Sequence, residues 1–241
     1  MSARAEIAEW LEAIRARIEA AARRAGRDPA AVRLVGVAKR QPAARVVAAV
    51  AAGLADVGEN FAQELRDKAP EVEARLAAEG LAPPRWHFVG RLQRNKARLV
   101  VPRVTCVHSL DREGLARELD RRAAAEGRTL EVLLQVDLSD EAAKGGVRPE
   151  DAAALRAAAA ALPHLRVVGL MAIPAPTEEP EAMRPAFARL RQLRDTLSRE
   201  ADAGRLRELS MGMSADFEVA VEEGATLVRV GTALFGPREG T

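Results

Sequence analysis

Lys39 follows directly on the apolar run Gly36-Val37-Ala38. A lysine that closes a buried parallel strand directs its amine into the space beyond the strand. Loss of water there lowers the ammonium pKa and makes the amine competent to form a Schiff base with an aldehyde. A strand-end lysine that reaches back to solvent is the plainer alternative. Far along the chain, two corners suit an anion: Met211-Gly212-Met213-Ser214, and Gly231-Thr232 followed by Ala233-Leu234. Glycine lets backbone N–H groups approach closely, hydroxyls add donors, and helix starts favour negative charge. Either corner alone would be an ordinary turn, but two on successive strands support a phosphate. Arg229 stands two residues before Gly231 and so shares its face of a strand. An inward guanidinium must find partners, and it can only donate to them.

These residues work together only if the chain brings them to one place. From residue 33 onward, short β-branched runs alternate with longer helical stretches. The expected strands are 33–39, 55–59, 86–90, 104–110, 131–139, 166–173, 208–214 and 226–231. Helical segments are expected to begin near Pro42, Asn60, Gln93, Asp111, Pro149, Glu181 and Asp216, with a short one after Thr232. Ser109 and Asp111 precede one helix, and Ser214 and Asp216 another. Gly53, Gly80, Gly127, Gly204 and Gly224 mark helix ends. Eight strands with alternating helices predict a single-domain α/β chain, a (β/α)8 TIM barrel whose strand C-termini form the active face. A doubly wound open sheet is the competing fold, but no GxGxxG fingerprint follows the first strand. Residues 1–28 carry Ile7, Leu11, Ile14 and Ile18 at helical spacing, which predicts an amphipathic helix packed on a barrel spanning 29–241.

In such a barrel Lys39 and the two corners meet at one mouth. A ligand for them bears both an aldehyde and a phosphate. Pyridoxal 5'-phosphate fits that description, and so does a sugar-phosphate aldolase substrate.

Composition narrows the classes further. The 37 basic and 35 acidic side chains leave a net charge of only +2, which does not predict a polyanion-binding surface. The densest basic run, Arg91, Arg94, Lys96, Arg98 and Arg103, lacks interleaved aromatics and reads as a solvated helix face, so no nucleic-acid partner is expected. No apolar run approaches the ~20 residues that span a bilayer, and no targeting segment is visible. Cys106 is the only cysteine, which fits a cytoplasmic protein; its apolar surroundings predict a buried thiol. His87 reads as core packing, His108 and His164 show no partners, and no metal-ligand spacing occurs.

Seven motifs then accumulate in order: GVAKRQP around Lys39, VGENFAQE from 57, WHFVGRLQRNK from 86, SDEAAKGG from 139, GLMAIP from 169, SMGMSADFE from 210 and VRVGTALFG from 228. Together they resemble the pyridoxal phosphate homeostasis proteins, from about Leu34 to Gly236. The resemblance implies the alanine racemase N-terminal-like barrel, pyridoxal phosphate fold type III. It implies that Lys39 holds the cofactor as a Schiff base and that Ser214, Gly231 and Thr232 hold its phosphate. It places Arg229 against the pyridine nitrogen and Asn60 beside the ring, although a helix-capping role explains Asn60 equally well. It also implies that Lys144, before Gly145 and Gly146, meets the cofactor transiently; a solvated loop lysine is the alternative.

The family implies no defined reaction. The expected role is a monomeric carrier or buffer of pyridoxal phosphate in vitamin B6 homeostasis, affecting amino-acid and keto-acid balance and supplying apo-enzymes. The rival is an amino-acid racemase, which takes a second base, a tyrosine, from a C-terminal β-domain of its partner subunit. This sequence contains no tyrosine and ends almost at its last strand. An interaction protein without a ligand would leave Lys39 and both corners unexplained.

Overall fold

The computed structural model describes residues 3–138, 145–174, 179–200 and 206–237. Eight parallel strands close a barrel in sequence order: β1 (Arg33–Val37), β2 (Asp56–Glu59), β3 (Arg85–Phe88), β4 (Cys106–Leu110), β5 (Leu130–Gln135), β6 (Leu165–Met171), β7 (Glu208–Ser210) and β8 (Leu227–Val230). The helices are α1 (Ala3–Arg24), α2 (Ala43–Ala51), α3 (Ala62–Ala78), α4 (Ala97–Val100), α5 (Glu113–Ala125), α6 (Ala152–Ala160), α7 (Arg184–Glu200), α8 (Phe217–Glu222) and α9 (Thr232–Phe235). The barrel replaces the open-sheet alternative, because β1 pairs with both β2 and β8.

The strands are short and buried on both faces, which is why they read as apolar runs. Val35, Cys106, Leu133, Met171 and Leu227 fill one layer of the barrel interior. Cys106 is buried there, as its sequence surroundings predicted. The larger apolar core lies between the sheet and the outer helices. α1 contributes Ile7, Leu11, Ile14 and Ile18, all at most 5% exposed, and packs against α2 and α8. Each such side chain contributes about 1.5–3 kcal/mol on burial, so this stripe favours docking of the helix on the barrel.

Several strands end earlier than their sequence patterns suggest. β1 stops at Val37, and Lys39 sits in a turn closed by the Gln41 N–H donating to Ala38 O at 3.0 Å. β7 stops at Ser210, because the chain turns at Gly212, where φ is 88°. A Cβ at Gly212 would lie 2.5 Å from Ala220 Cβ, so this corner excludes side chains on both counts. Asp216 stands at the start of α8, but its Oδ1 accepts from the Met213 N–H at 2.6 Å and makes no helix cap. Among the described residues, no helix is long and apolar enough to cross a membrane.

Candidate functional site

The loops after β1, β2, β7 and β8 meet at the C-terminal mouth of the barrel around a cavity of about 340 Å³. Its lining includes Lys39, Asn60, Ser214, Arg229, Gly231 and Thr232, all six described residues singled out from the sequence. Lys144 lies outside the described residues. Apolar walls come from Val37, Val89, Ile173 and Met213.

The backbone around Lys39 is held from below. Lys68, buried on α3, donates to Ala38 O at 2.7 Å, to Glu59 Oε1 at 2.7 Å and to Glu64 Oε1 at 2.5 Å. Glu64 in turn accepts the Arg40 N–H at 2.7 Å. Both peptide groups flanking Lys39 are therefore tied to one charged cluster. Arg40 adopts a φ of 57°, the one positive value at a described non-glycine residue. That conformation costs about 1 kcal/mol or more and persists because these bonds fix it. Burial pushes the Glu59 carboxyl up to about 7, against the pull of Lys68.

Asn60 follows β2, but the helix cap is Phe61, so the capping alternative for Asn60 does not hold. Its Oδ1 is buried and has no hydrogen-bond partner, which marks it as a group awaiting a ligand or a water. Gly90 makes this position possible: a Cβ there would lie 2.2 Å from Asn60 O.

At the other wall, hydrogen bonds from the Leu234 and Phe235 N–H groups to Gly231 O, both 2.9 Å, begin α9. The N–H groups of Thr232 and Ala233 precede that ladder and point out of its open end. Ser214 follows the Gly212 corner, and it lines the same cavity as Gly231 and Thr232.

Arg229 is 4% exposed. It donates to Ser210 Oγ at 2.6 Å and to Ala172 O at 2.9 Å. Burial brings its pKa down to about 10, against the attraction of Asp216, so it remains a cation at neutral pH. Behind it runs a chain of bonds through the barrel interior. His108 Nδ1 lies 2.9 Å from Ser210 Oγ, His108 Nε2 lies 2.9 Å from His87 Nδ1, and His87 Nε2 lies 2.9 Å from Asp56 Oδ1. Arg85 closes the far end with two bonds to Asp56, at 2.7 and 2.6 Å.

The proton positions follow from chemistry. Burial would raise Asp56, but bonds from His87 and Arg85 outweigh it and hold the carboxyl well below its usual range. It therefore accepts from His87 Nε2–H. Burial, with His87 and Arg229 nearby, keeps His108 neutral. The assignment that satisfies every group then runs one way: Arg229 to Ser210, Ser210 to His108, His108 to His87, and His87 to Asp56.

The sequence reading missed this chain. His108 has two side-chain partners, and His87 is a link between strands, beyond core packing. His164, expected to stand alone, lies 3.4 Å from Asp120. Spacing also failed to reveal that His87, Cys106 and His108 place ligand-type atoms within 4.8 Å of one another. The imidazole nitrogens of that group are already engaged in the chain.

Known proteins share this arrangement of strands and helices. The alanine racemase N-terminal domain family matches residues 10–239. A Pseudomonas aeruginosa protein named pyridoxal phosphate homeostasis protein is 49% identical over 97% of this chain and 96% of its own length. PipY of Synechococcus elongatus, solved with PLP bound, superposes with a TM-score of 0.81 at 38% identity, covering 95% of this chain and all of that one (100%). Alanine racemase from Corynebacterium glutamicum shares the fold at 18% identity and a TM-score of 0.67; the match spans 96% of this chain and 63% of the racemase.

Proposed function

The chain belongs to the pyridoxal phosphate homeostasis protein family, of the alanine racemase N-terminal domain type, and on that premise we propose that it binds pyridoxal 5'-phosphate as a carrier. One observation carries the reading: residues drawn from 39, 60, 214, 229, 231 and 232 line one cavity of about 340 Å³. The cavity offers an amine at one wall, hydroxyl and backbone donors at another, and a buried guanidinium between apolar surfaces.

In this reading Lys39 forms the Schiff base, and Ser214, Gly231 and Thr232 hold the phosphate. Asn60 lies beside the ring, and Arg229 donates to the pyridine nitrogen. The bound cofactor supplies a reactive aldehyde and an electron-withdrawing ring. The chain supplies a site that sequesters both. A permanent cation beside the pyridine nitrogen disfavours its protonation, whereas a carboxylate there would stabilise it. A shallow electron sink suits storage and delivery to apo-enzymes better than turnover. The protein is read as a cytoplasmic monomer that buffers free pyridoxal phosphate and thereby affects amino-acid and keto-acid balance. Transient contact with Lys144 belongs to this reading as well.

The test is absorption spectroscopy of the purified protein, followed by borohydride reduction and peptide mapping. The expected result is a yellow protein whose reduced adduct maps to Lys39. Adducts confined to other lysines would remove the assignment.

A further inference from the structure

The sequence motifs VGENFAQE and WHFVGRLQRNK contribute only Asn60 and Val89 to the Lys39 cavity. Much of the remainder converges elsewhere. Phe61, Gln63, Arg91, Gln93, Lys96 and Arg112 line a second cavity of about 540 Å³ at the same barrel mouth. Asn60 is common to both cavities, so a molecule seated in the second abuts the first.

The chemistry of this lining is one-sided. It contains three cations and no carboxylate. Arg112 is paired with Asp111 and donates to Leu92 O at 3.1 Å. Arg91 and Lys96 have no ion pair among the described residues, and Lys96 is half-buried. The 17-residue helix α3 starts on this cavity, with Ala62 and Gln63 in the lining and no side-chain cap at Phe61. The acidic member of its first turn, Glu64, is engaged by Lys68 and the Arg40 N–H. Cations gathered around a concave surface repel one another and focus a positive potential into it; an oxyanion relieves the repulsion and accepts their hydrogen bonds. The basic run that read as a solvated face thus has two of its members, Arg91 and Lys96, at a cavity.

We propose that this cavity is an oxyanion subsite, which holds the carboxylate or phosphate of a small molecule whose other end reaches past Asn60 toward Lys39. The proposal rests on the cofactor reading of the neighbouring cavity and names the class of molecule that would meet the cofactor there: an amino acid, an oxo acid, or a phosphorylated compound.

The test starts from full-length protein carrying the borohydride-reduced adduct, verified by mass at Lys39, so that the first cavity is filled and chemically inert. Inorganic phosphate and succinate are then titrated calorimetrically. Saturable binding of at least one is expected. Arg91→Ala combined with Lys96→Ala should weaken it by about tenfold or more, because charge-assisted bonds are lost. Lys96→Arg should retain it, and Arg98→Ala, an exposed arginine of the same run outside the lining, should leave it unchanged. Tighter phosphate binding assigns phosphorylated ligands, and tighter succinate binding assigns carboxylates. No saturable binding of either probe, or equal affinity in the double variant, overturns the subsite. A missing adduct at Lys39 overturns the cofactor reading instead, and the same titrations on untreated protein then decide the subsite separately.

Discussion

Arg229 shows how much a residue's type discloses and how much only its neighbours do. An arginine two residues before Gly231 on an apolar strand was legible as an inward cation in need of acceptors. What it leans on was not legible: Ser210 stands 19 positions away, and His108, the next link, lies 102 positions before Ser210. Hydrogen bonds across a barrel leave no spacing signature, so His108 looked solitary in the sequence. The chain of donors makes a specific prediction. Ser210→Ala removes the acceptor for Arg229 and leaves His108 Nδ1 buried without a partner. The cost to the cofactor-free protein should be about 1–3 kcal/mol, read from chemical denaturation. Cofactor affinity should fall as well, because the guanidinium loses one of its two fixed directions. Unchanged stability and affinity would mean that the chain neither holds His108 nor orients Arg229.

At the scale of elements, the turn after β1 depends on α3. Lys68 and Glu64 of that helix hold the peptide groups on either side of Lys39, with Glu59 at the end of β2 completing the cluster. Lys68 sits on the core face of α3 and Glu64 one turn before it, so the i,i+4 pair was visible in principle. Its third member was not, because nothing in the sequence says that β2 ends above that helix face. Glu59 also sets a pH dependence. Burial raises its folded pKa to about 7, against an ordinary value of 4.5. Between those values the folded chain binds more protons than the unfolded one, so this group's contribution is fully present below the lower value and is lost as pH rises through the upper. Denaturation at pH 5 and at pH 7.5 should therefore show a decline that Glu59→Gln flattens, since glutamine can still accept from Lys68. An identical decline in the variant would assign the pH dependence to other groups.

At the scale of the molecule, the barrel was legible because eight buried strands alternate with helices, and the mouth follows from that topology. The same topology limits chemistry. Racemisation needs a base on each face of the substrate carbon. Among the described residues that line the first cavity, Lys39 carries the one amine; Arg229 stays protonated, and the other lining side chains are apolar, hydroxyl or amide groups. His108 is neutral but sits behind Ser210, engaged on both nitrogens. The sequence contains no tyrosine to take the opposite face. On its described lining the site is one-sided: in the proposed reading, Lys39 removes and returns a proton on its own face. In deuterated water, L-alanine should exchange its α-hydrogen with retention of configuration, and slowly, as the proposed placement of Arg229 beside the pyridine nitrogen requires. D-alanine should form more slowly still, by about 10²–10⁴-fold, the usual cost of lacking a positioned acid or base. Mass spectrometry counts the deuterium, and chiral chromatography counts the inverted product in the same samples. Inversion that keeps pace with exchange would require a second base opposite Lys39 and would return the protein to the racemases.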